Sequence, residues 1–299
     1  MLVNSNGSMV RILAWQWRSV TLYMLLGGLA VFVHDILGQH QARIPSSGPA
    51  VLGAALGIFA SFRTSAAYAR WWEGRQLWGR LVNASRLFVS QCQAYVPDAD
   101  VVRTVVTRHV LYVHVLRCQL RDDDPWVDAH VQRLLGRLGA DEAWVTRARQ
   151  QTSVLHWLAH ESLLALTKAP LEPLKLQSLE STVATFLDVQ GGCERIKRTP
   201  MPRGYGFFVS RLLILFAALF PFSLVETLSW AVVPLNLVVC LGFQLISETG
   251  RILEDPFNHF YNSLPVTSLS VNIERNLRQR LGDADLPDAV AVDANGVLW

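Results

Sequence analysis

The amino-acid sequence predicts an all-α membrane protein with four transmembrane helices and a large cytoplasmic helical region. Hydrophobic residues make up 51% of the 299 residues, whereas charged residues make up only 17%. Soluble proteins carry about 25% charged residues on average. The mean hydropathy of +0.25 points in the same direction, and the sequence shows none of the alternating patterns that are typical of β-strands.

Four apolar stretches are candidates for membrane crossing, since about 20 apolar residues in a helix span a bilayer. The first and third stretches, about residues 20–37 and 205–225, reach that length. The second and fourth stretches, about 49–70 and 230–247, are less continuously apolar, and the second is expected to continue as helix beyond Phe62. We expect such marginal spans where a helix faces protein or water rather than lipid.

The positions of arginine and lysine predict how these spans are oriented in the membrane. Basic residues cluster before the first span, after the second, before the third and after the fourth, whereas the intervening loops carry Arg43 and Glu226. Cytoplasmic loops of multi-span proteins carry an excess of basic residues. Both termini are therefore expected in the cytoplasm, together with the regions 71–204 and 248–281. The tail 282–299 is expected to be loose.

Apolar residues recur at helical spacing through the middle of the chain. This pattern predicts cytoplasmic helices over residues 98–121, 124–139, 141–169 and 173–192. The second of them is expected to begin with Asp124 as its cap and Pro125 in its first turn. The last is expected to end at the pair Gly191 and Gly192.

The sequence lacks the motifs of common enzymes and of nucleic-acid-binding proteins. It contains no GxSxG, HExxH, P-loop or GxGxxG pattern, and we therefore expect neither catalysis nor a cofactor. The net charge of +3 is spread without a basic block, which argues against a nucleic-acid partner. The four cysteines are far apart and lack the spacing of zinc ligands, which indicates reduced packing residues.

Histidine spacing also argues against a bound metal. His109 and His114 are five residues apart and so lie on different faces of a helix. His156 and His160 share a face beside Glu161, but no third ligand follows at a suitable spacing. We therefore expect histidines that pack in the core or lie on the surface, and no metal site.

The second span carries a row of apolar side chains on one helical face. Ala54, Ile58 and Phe62 are spaced four residues apart, which places them on the same side of a helix. Their neighbours, such as Ala55, are small, and small residues allow helices to approach closely. Spacing alone leaves three interpretations of this face open: a surface toward lipid, a packed core, or the lining of a pore.

Tryptophans are concentrated just beyond this row. Trp71, Trp72 and Trp78 lie in the expected continuation of the same helix, without a glycine or proline break before them. Tryptophan is enriched where a membrane meets water. These side chains are therefore expected either to form an interfacial belt or to anchor the helix against its neighbours, without contact to an ion.

Two arginines flank the start of this tryptophan-rich segment. Arg63 and Arg70 would be costly near a membrane unless their charges are paired. We expect each to pair with helix carbonyls or with an acidic side chain. The candidate acids are Glu73, Glu254 and Asp255.

Four stretches of the sequence together resemble the bestrophin family, and in particular its bacterial members. They occur in family order across about residues 11–281. The last stretch contains Pro256 and Phe257, which match the "PF" pair that follows the fourth span in the family. The stretches are "FRTSAAYARWWEGRQLWGRLVNASR" (62–86), "HVLYVHVLRCQLR" (109–121), "GGCERIKRTPMPRGYGFFVSRLLILFAALFPFSLV" (191–225) and "ETGRILEDPFNHFYNSLPVTSLSVNIERNL" (248–277).

The resemblance implies a homopentameric ion channel in a lipid bilayer, with one central pore for small monovalent ions. The second span of each subunit would line an apolar neck with Ala54 or Ala55, then Ile58 and Phe62. Leu174 would form a narrow cytoplasmic aperture. The first neck position is small here, which implies a wider upper neck. The family is labelled as chloride channels, but bacterial members can favour cations, so the sign of the permeant ion stays open.

The sequence departs from the animal members of the family after the fourth span. Those members bind calcium through an acidic cluster next to the "PF" pair, whereas the matching stretch here, "PFNHFYNS" (256–263), contains no acid. Calcium favours several hard oxygen ligands, often carboxylates. We therefore expect no calcium site. A non-conducting membrane scaffold or regulator remains the alternative to a channel, and an enzyme is disfavoured by the missing catalytic residues.

Overall fold

The computed structural model describes residues 15–293 and 296–299, except for the side chains of Arg203 and Tyr205. The described residues form ten α-helices and no β-strand, which confirms the predicted all-α class. The helices are α1 Trp17–Val31, α2 Ser47–Tyr95, α3 Ala99–Leu120, α4 Ala129–Arg137, α5 Glu142–Gln150, α6 Val154–Thr167, α7 Pro173–Arg198, α8 Arg203–Leu228, α9 Val232–Leu253 and α10 Val266–Arg280.

The described chain divides into two compact units. Residues 15–71 and 200–255 form one, here called the apolar unit, which contains α1, the first half of α2, α8 and α9. Residues 72–199, 256–293 and 296–299 form the other, here called the amphipathic unit, which contains the rest of α2, helices α3 to α7 and α10.

The apolar unit contains the helices that are long and apolar enough to cross a membrane. Three helical stretches of the described residues meet this requirement: Trp17–Ile36, Ser47–Tyr95 and Gly206–Leu253. The last of these is a hairpin rather than one rod, because a 3₁₀ turn over Ser229–Ala231 separates α8 from α9 and the two helices pack against each other. Ser229 has a positive φ of 44°, which ends α8. Each predicted span falls on one of the helices α1, α2, α8 and α9.

Small and polar residues let the helices of the apolar unit pack closely. A Cβ atom at Gly27 in α1 would lie 3.1 Å from the Cα atom of Val233 in α9, so the two backbones approach each other directly. The buried Asn236 side chain donates a hydrogen bond of 2.9 Å to the carbonyl oxygen of Tyr23. This bond joins α9 to α1 inside an apolar core, where an unpaired amide would be costly.

Helix α3 lies in the core of the amphipathic unit. Nearly every residue of its second half is buried, and α4, α6, α7 and α10 all pack against it. Its start is fixed by Asp98, whose carboxylate accepts hydrogen bonds from the backbone N–H groups of Asp100 and Val101. Such caps satisfy the first N–H groups of a helix, which have no partner within it.

Several helices begin or end at residues other than the predicted ones, because side-chain caps and packing determine their boundaries. Helix α4 begins at Ala129 and not near Asp124, because Asp128 is the residue that caps it. The predicted helix over 141–169 is two helices, since Ser153 caps a new start and accepts from the N–H of His156. Helix α7 does not end at its glycine pair: it continues to Arg198.

The C-terminal tail makes specific contacts, in contrast to the loose segment expected from the sequence. Arg278 and Arg275 in α10 donate to the carbonyl oxygens of Asp285 and Pro287. The N–H of Ser268 donates a 2.7 Å hydrogen bond to the carbonyl oxygen of Trp299, and Val297 is buried. Contacts to α10 therefore hold the described part of the tail.

Candidate pore face and the charged anchor of helix α2

Helix α2 is the longest element of the described chain and carries the candidate pore face. Its 49 residues make a helix of about 74 Å at 1.5 Å per residue. This length far exceeds the hydrocarbon core of a bilayer, which is about 30 Å thick. The helix runs without a break from the apolar into the amphipathic unit, so the predicted continuation beyond Phe62 is confirmed.

One face of α2 in the apolar unit exposes apolar side chains. Ile58 is 56% exposed and Phe62 is 67% exposed, while Ala54, one turn before Ile58, is exposed as well. Ala55 is half-buried, so the exposed row includes Ala54 rather than Ala55. Exposure of a row of large apolar side chains to water is unfavourable in free energy. The row is therefore expected to face lipid, another protein surface or a pore that excludes water.

The opposite face of α2 is buried within the apolar unit. Leu56 and Ala60 are completely or almost completely buried, and both belong to a core that includes Phe216 of α8 and Cys240 of α9. Contacts with α8 and α9 therefore hold the buried face of this helix in place. The row of Ala54, Ile58 and Phe62 lies on the other side of α2, where its side chains are exposed.

Leu174 is a second exposed apolar side chain among the predicted site residues. It follows Pro173, the first residue of α7, and is 78% exposed. Glu172 and Lys175 flank it and form an ion pair of 3.1 Å with each other. A leucine held at the start of a rigid helix between two paired charges is well placed for a contact outside the chain.

Arg63 is a buried charge on the packed side of α2. One guanidinium nitrogen, Nη1, donates a 3.2 Å hydrogen bond to the Ser247 hydroxyl, and Nη2 lies 3.7 Å from the Glu254 carboxylate. A Cβ atom at Gly206 would lie 3.1 Å from Nη2, so the guanidinium packs closely against α8 at this glycine. The surrounding groups thus compensate a charge that would otherwise be costly to bury.

Both arginines contact Glu254, Arg63 at its carboxylate and Arg70 at its backbone carbonyl oxygen. The Nε–H of Arg70 donates a 3.1 Å hydrogen bond to the Glu254 carbonyl oxygen, and the Glu254 carboxylate accepts from the backbone N–H of Met201. Of the other two candidate acids, Asp255 is half-buried, and Glu73 pairs with Arg195 of α7 in the amphipathic unit. Glu254 therefore joins α2 to the end of α9 and to the segment before α8.

The three tryptophans lie in different environments. Trp78 is completely buried in the amphipathic unit, so it belongs to a core and not to an interfacial belt. Trp72 is about half exposed, and the ring of Trp71 stacks on that of Tyr68 with centroids 6.1 Å apart. Only Trp71 and Trp72 thus occupy positions that suit an interface.

The "PF" pair packs against α2 within the amphipathic unit. A Cβ atom at Gly74 would lie 3.3 Å from both Pro256 and Phe257, and Phe257 is completely buried. Asn258, which follows the pair, accepts hydrogen bonds from the N–H of Phe260 and from the Ser263 hydroxyl. An amide oxygen thus organises this turn.

His109 is a packing residue of the amphipathic unit. Its ring stacks on Phe186 with centroids 4.0 Å apart, and its Nε2 atom is hydrogen-bonded to the Ser85 hydroxyl at 2.8 Å. Burial lowers the pKa of His109 to about 3. The imidazole is therefore neutral at physiological pH.

The structure also assembles a cluster that spacing did not reveal. His114 of α3, His130 of α4 and Glu274 of α10 meet in the amphipathic unit. The three residues are too far apart in the sequence to belong to one local metal-binding motif. His156 and His160, the pair that spacing had singled out, are both exposed on α6.

A chain whose described residues are helical, with long apolar helices and an exposed apolar helix face, has the features of an integral membrane protein. Comparison with known families specifies this class further. The family described as "Bacterial/Fungal Bestrophin protein" matches residues 1–279. The chain therefore belongs to the bestrophin family, and the resemblance identified in the sequence is confirmed.

Curated relatives and solved structures agree with this assignment. A voltage-dependent anion channel-forming protein of Ralstonia nicotianae is 31% identical over 90% of this chain and 87% of its own length. The voltage-dependent anion channel-forming protein YneE of Escherichia coli is 32% identical over 81% of this chain and 79% of its own length. The crystal structure of a bacterial bestrophin homologue from Klebsiella pneumoniae is 28% identical, with a TM-score of 0.82 over 89% of this chain and 98% of that chain.

Proposed function

We propose that this chain is the subunit of a homopentameric ion channel that passes small monovalent ions across the bacterial inner membrane. Four helices, α1, α2, α8 and α9, cross the bilayer, and both termini lie in the cytoplasm. Its curated relatives are named as channel-forming proteins, and the chain covers most of their length. The observation that carries the proposal is the exposed apolar row on α2.

In a ring of five subunits, this row lines the neck of the pore. Ala54, Ile58 and Phe62 each contribute one ring of side chains, and the rings of Ile58 and Phe62 are the narrower ones. These side chains offer no hydrogen bonds to a hydrated ion, and a narrow apolar constriction gates by losing its water. The buried face of α2, held by Leu56 and Ala60, keeps the row aligned.

Leu174 forms the second constriction, at the cytoplasmic exit. Its exposed position at the start of α7 suits a ring of five leucines. The ion pair of Glu172 with Lys175 leaves no net charge beside it. Neither constriction therefore selects ions by a fixed charge of its own, and the orientation of the five Phe62 rings, with negative faces and positive edges, becomes the main influence on ion sign.

Substitution of the neck residues tests the proposal. The double variant Ile58→Ala and Phe62→Ala widens the neck and is expected to increase ion flux from liposomes that contain the purified protein. Val238→Ala is the matched control, because Val238 of α9 is 68% exposed but lies outside the row. Flux that stays at the level of empty liposomes in the wild type and both variants would favour a non-conducting scaffold with the same fold.

A further inference from the structure

Two imidazole rings and one carboxylate converge at the junction of α3, α4 and α10. The Nε2 atom of His114 lies 3.0 Å from Oε2 of Glu274, and Nδ1 of His130 lies 3.5 Å from the same oxygen. One ligand atom from each residue lies within 4.8 Å of the other two. His114 and Glu274 are almost completely buried, whereas His130 is partly exposed and gives access from solvent.

The charges around this cluster leave one carboxylate oxygen to the two histidines. Arg278 donates a 2.9 Å hydrogen bond to the other oxygen of Glu274, Oε1, and it also pairs with Asp283. Arg117, which faces His114, is paired with Asp128 at 2.7 Å. Arg117 is thus matched by an acid other than Glu274, whereas Arg278 shares Asp283 with Arg103 and Arg137.

One ring nitrogen of each histidine lacks a hydrogen-bond partner. His114 Nδ1 and His130 Nδ1 are both buried atoms, and neither has a hydrogen-bond partner among the described residues. Buried polar atoms are usually paired, and an imidazole nitrogen without a hydrogen-bond partner is available to bind a metal ion.

We propose that His114, His130 and Glu274 form a binding site for a divalent transition metal, with Zn²⁺ as the best fit. Two imidazole nitrogens and one carboxylate oxygen suit Zn²⁺, which takes four ligands in a tetrahedral arrangement, with water in the fourth position. Calcium and magnesium favour sites made of oxygen alone. The bound ion links three helices of the amphipathic unit that are distant in sequence.

One ring must turn for the ion to bind. The two imidazoles are nearly parallel, with an interplanar angle of 7° and centroids 4.8 Å apart, whereas a metal lies close to the plane of each ring that binds it. The ring torsion of histidine is soft, and His130 is the partly exposed member. Its position is otherwise fixed by Asp128, which caps α4 and accepts from the His130 N–H. The His130 ring therefore rotates onto the ion, while His114 and Glu274 stay in place.

The test is zinc binding by the full-length protein in detergent after treatment with a chelator. Calorimetric titration with ZnCl₂ is expected to show one ion per chain in the wild type. His130→Ala removes the most accessible ligand and is expected to weaken the affinity by about tenfold or more, since loss of even an outer-shell partner costs about 10–100-fold. His156→Ala, which removes an exposed histidine of α6, is the matched control and is expected to bind as the wild type does.

A second measurement, thermal unfolding, distinguishes the loss of zinc binding from poor folding of a variant. Zinc is expected to raise the unfolding temperature of the wild type and of His156→Ala, and to leave that of His130→Ala and Glu274→Gln unchanged. Magnesium and calcium at the same concentration are expected to have no effect. Equal zinc affinity in the wild type and in a folded His130→Ala protein, or the absence of any zinc binding, would overturn the proposal. Both readouts are independent of ion conduction.

Discussion

Arg63 brings a positive charge into the apolar unit, where Ser247 and Glu254 surround its guanidinium. A buried ion pair does little for stability compared with a well-packed apolar pair, but removal of one partner leaves the other charge uncompensated. Arg63 therefore matters mainly because Glu254 is also the residue to which Arg70 and the backbone of Met201 are bonded. Its loss would disturb several contacts at once.

Arg63→Ala is expected to destabilise the protein by about 3 kcal/mol or more, because the Glu254 carboxylate then loses its buried partner. Arg43→Ala serves as the control. Arg43 also pairs with a glutamate, Glu226, but both side chains are exposed, and such pairs contribute about 0–1 kcal/mol. Thermal unfolding in detergent measures both, and equal effects of the two variants would contradict the assigned role of Arg63.

His109 makes the stability of the amphipathic unit depend on pH. Its pKa is about 3 in the folded protein and about 6.5 in an unfolded chain, so the unfolded state binds more protons between these values. The stabilisation is complete above about pH 6.5 and is lost as the pH falls toward 3, at about 1.4 kcal/mol per pH unit. His109→Gln keeps a hydrogen-bonding side chain that does not titrate. We expect a shallower loss of unfolding temperature in this variant between pH 6.5 and 4.5, and parallel curves would contradict it.

At the scale of elements, the contact between α1 and α9 depends on a missing side chain. Gly27 lies so close to Val233 that a Cβ atom would be 3.1 Å from its Cα, whereas its neighbour Gly28 has nothing within 4 Å of such an atom. The two glycines share one helix and differ only in the side to which they point. They therefore form a matched pair for an experiment.

Gly27→Ala is expected to destabilise the protein by about 1–3 kcal/mol, because the added methyl group forces α1 and α9 apart. Gly28→Ala is expected to be neutral or to stabilise by up to about 1 kcal/mol, since alanine is the better helix former. Unfolding temperatures of the two variants in detergent give the comparison. Equal tolerance of both substitutions would show that the two helices do not pack at this distance.

Helices were predictable from the sequence where one pattern continued, and less so where a single side chain fixed the boundary. The continuous apolar and amphipathic pattern of α2 predicted a long helix, and the structure has one over Ser47–Tyr95. The start of α4 depends on Asp128 rather than Asp124, and both are equally good caps in sequence. Likewise, Gly192 resembles a helix stop, yet it lies inside α7 because Leu77 packs against it.

The common face of the candidate pore residues could be predicted from the sequence, whereas the candidate metal site could not. Ala54, Ile58 and Phe62 lie within three helical turns, so their common face follows from helical geometry. His114, His130 and Glu274 come from three helices, and no local spacing connects residues that only tertiary packing brings together. The contacts of Arg63 with the Glu254 carboxylate and of Arg70 with the Glu254 backbone also depend on how α2 packs against α9.

For the whole molecule, a central pore requires several copies of the chain. The apolar row on α2 and Leu174 are exposed within a single chain, and a pore exists only when copies surround a common axis. The purified protein is therefore expected to have the native mass of five chains of 33.4 kDa each, plus detergent. Native mass spectrometry measures this directly, and a monomer that persists at high protein concentration in mild detergent would contradict the ring.

Ion conduction by the purified wild-type protein tests the proposed channel most directly. In a planar lipid bilayer with unequal KCl concentrations on the two sides, we expect single-channel currents with a nonzero reversal potential. The sign of that potential identifies the permeant ion as chloride or potassium. A wild-type protein of pentameric mass that gives no current, together with an equally silent Ile58→Ala and Phe62→Ala variant, would contradict the channel.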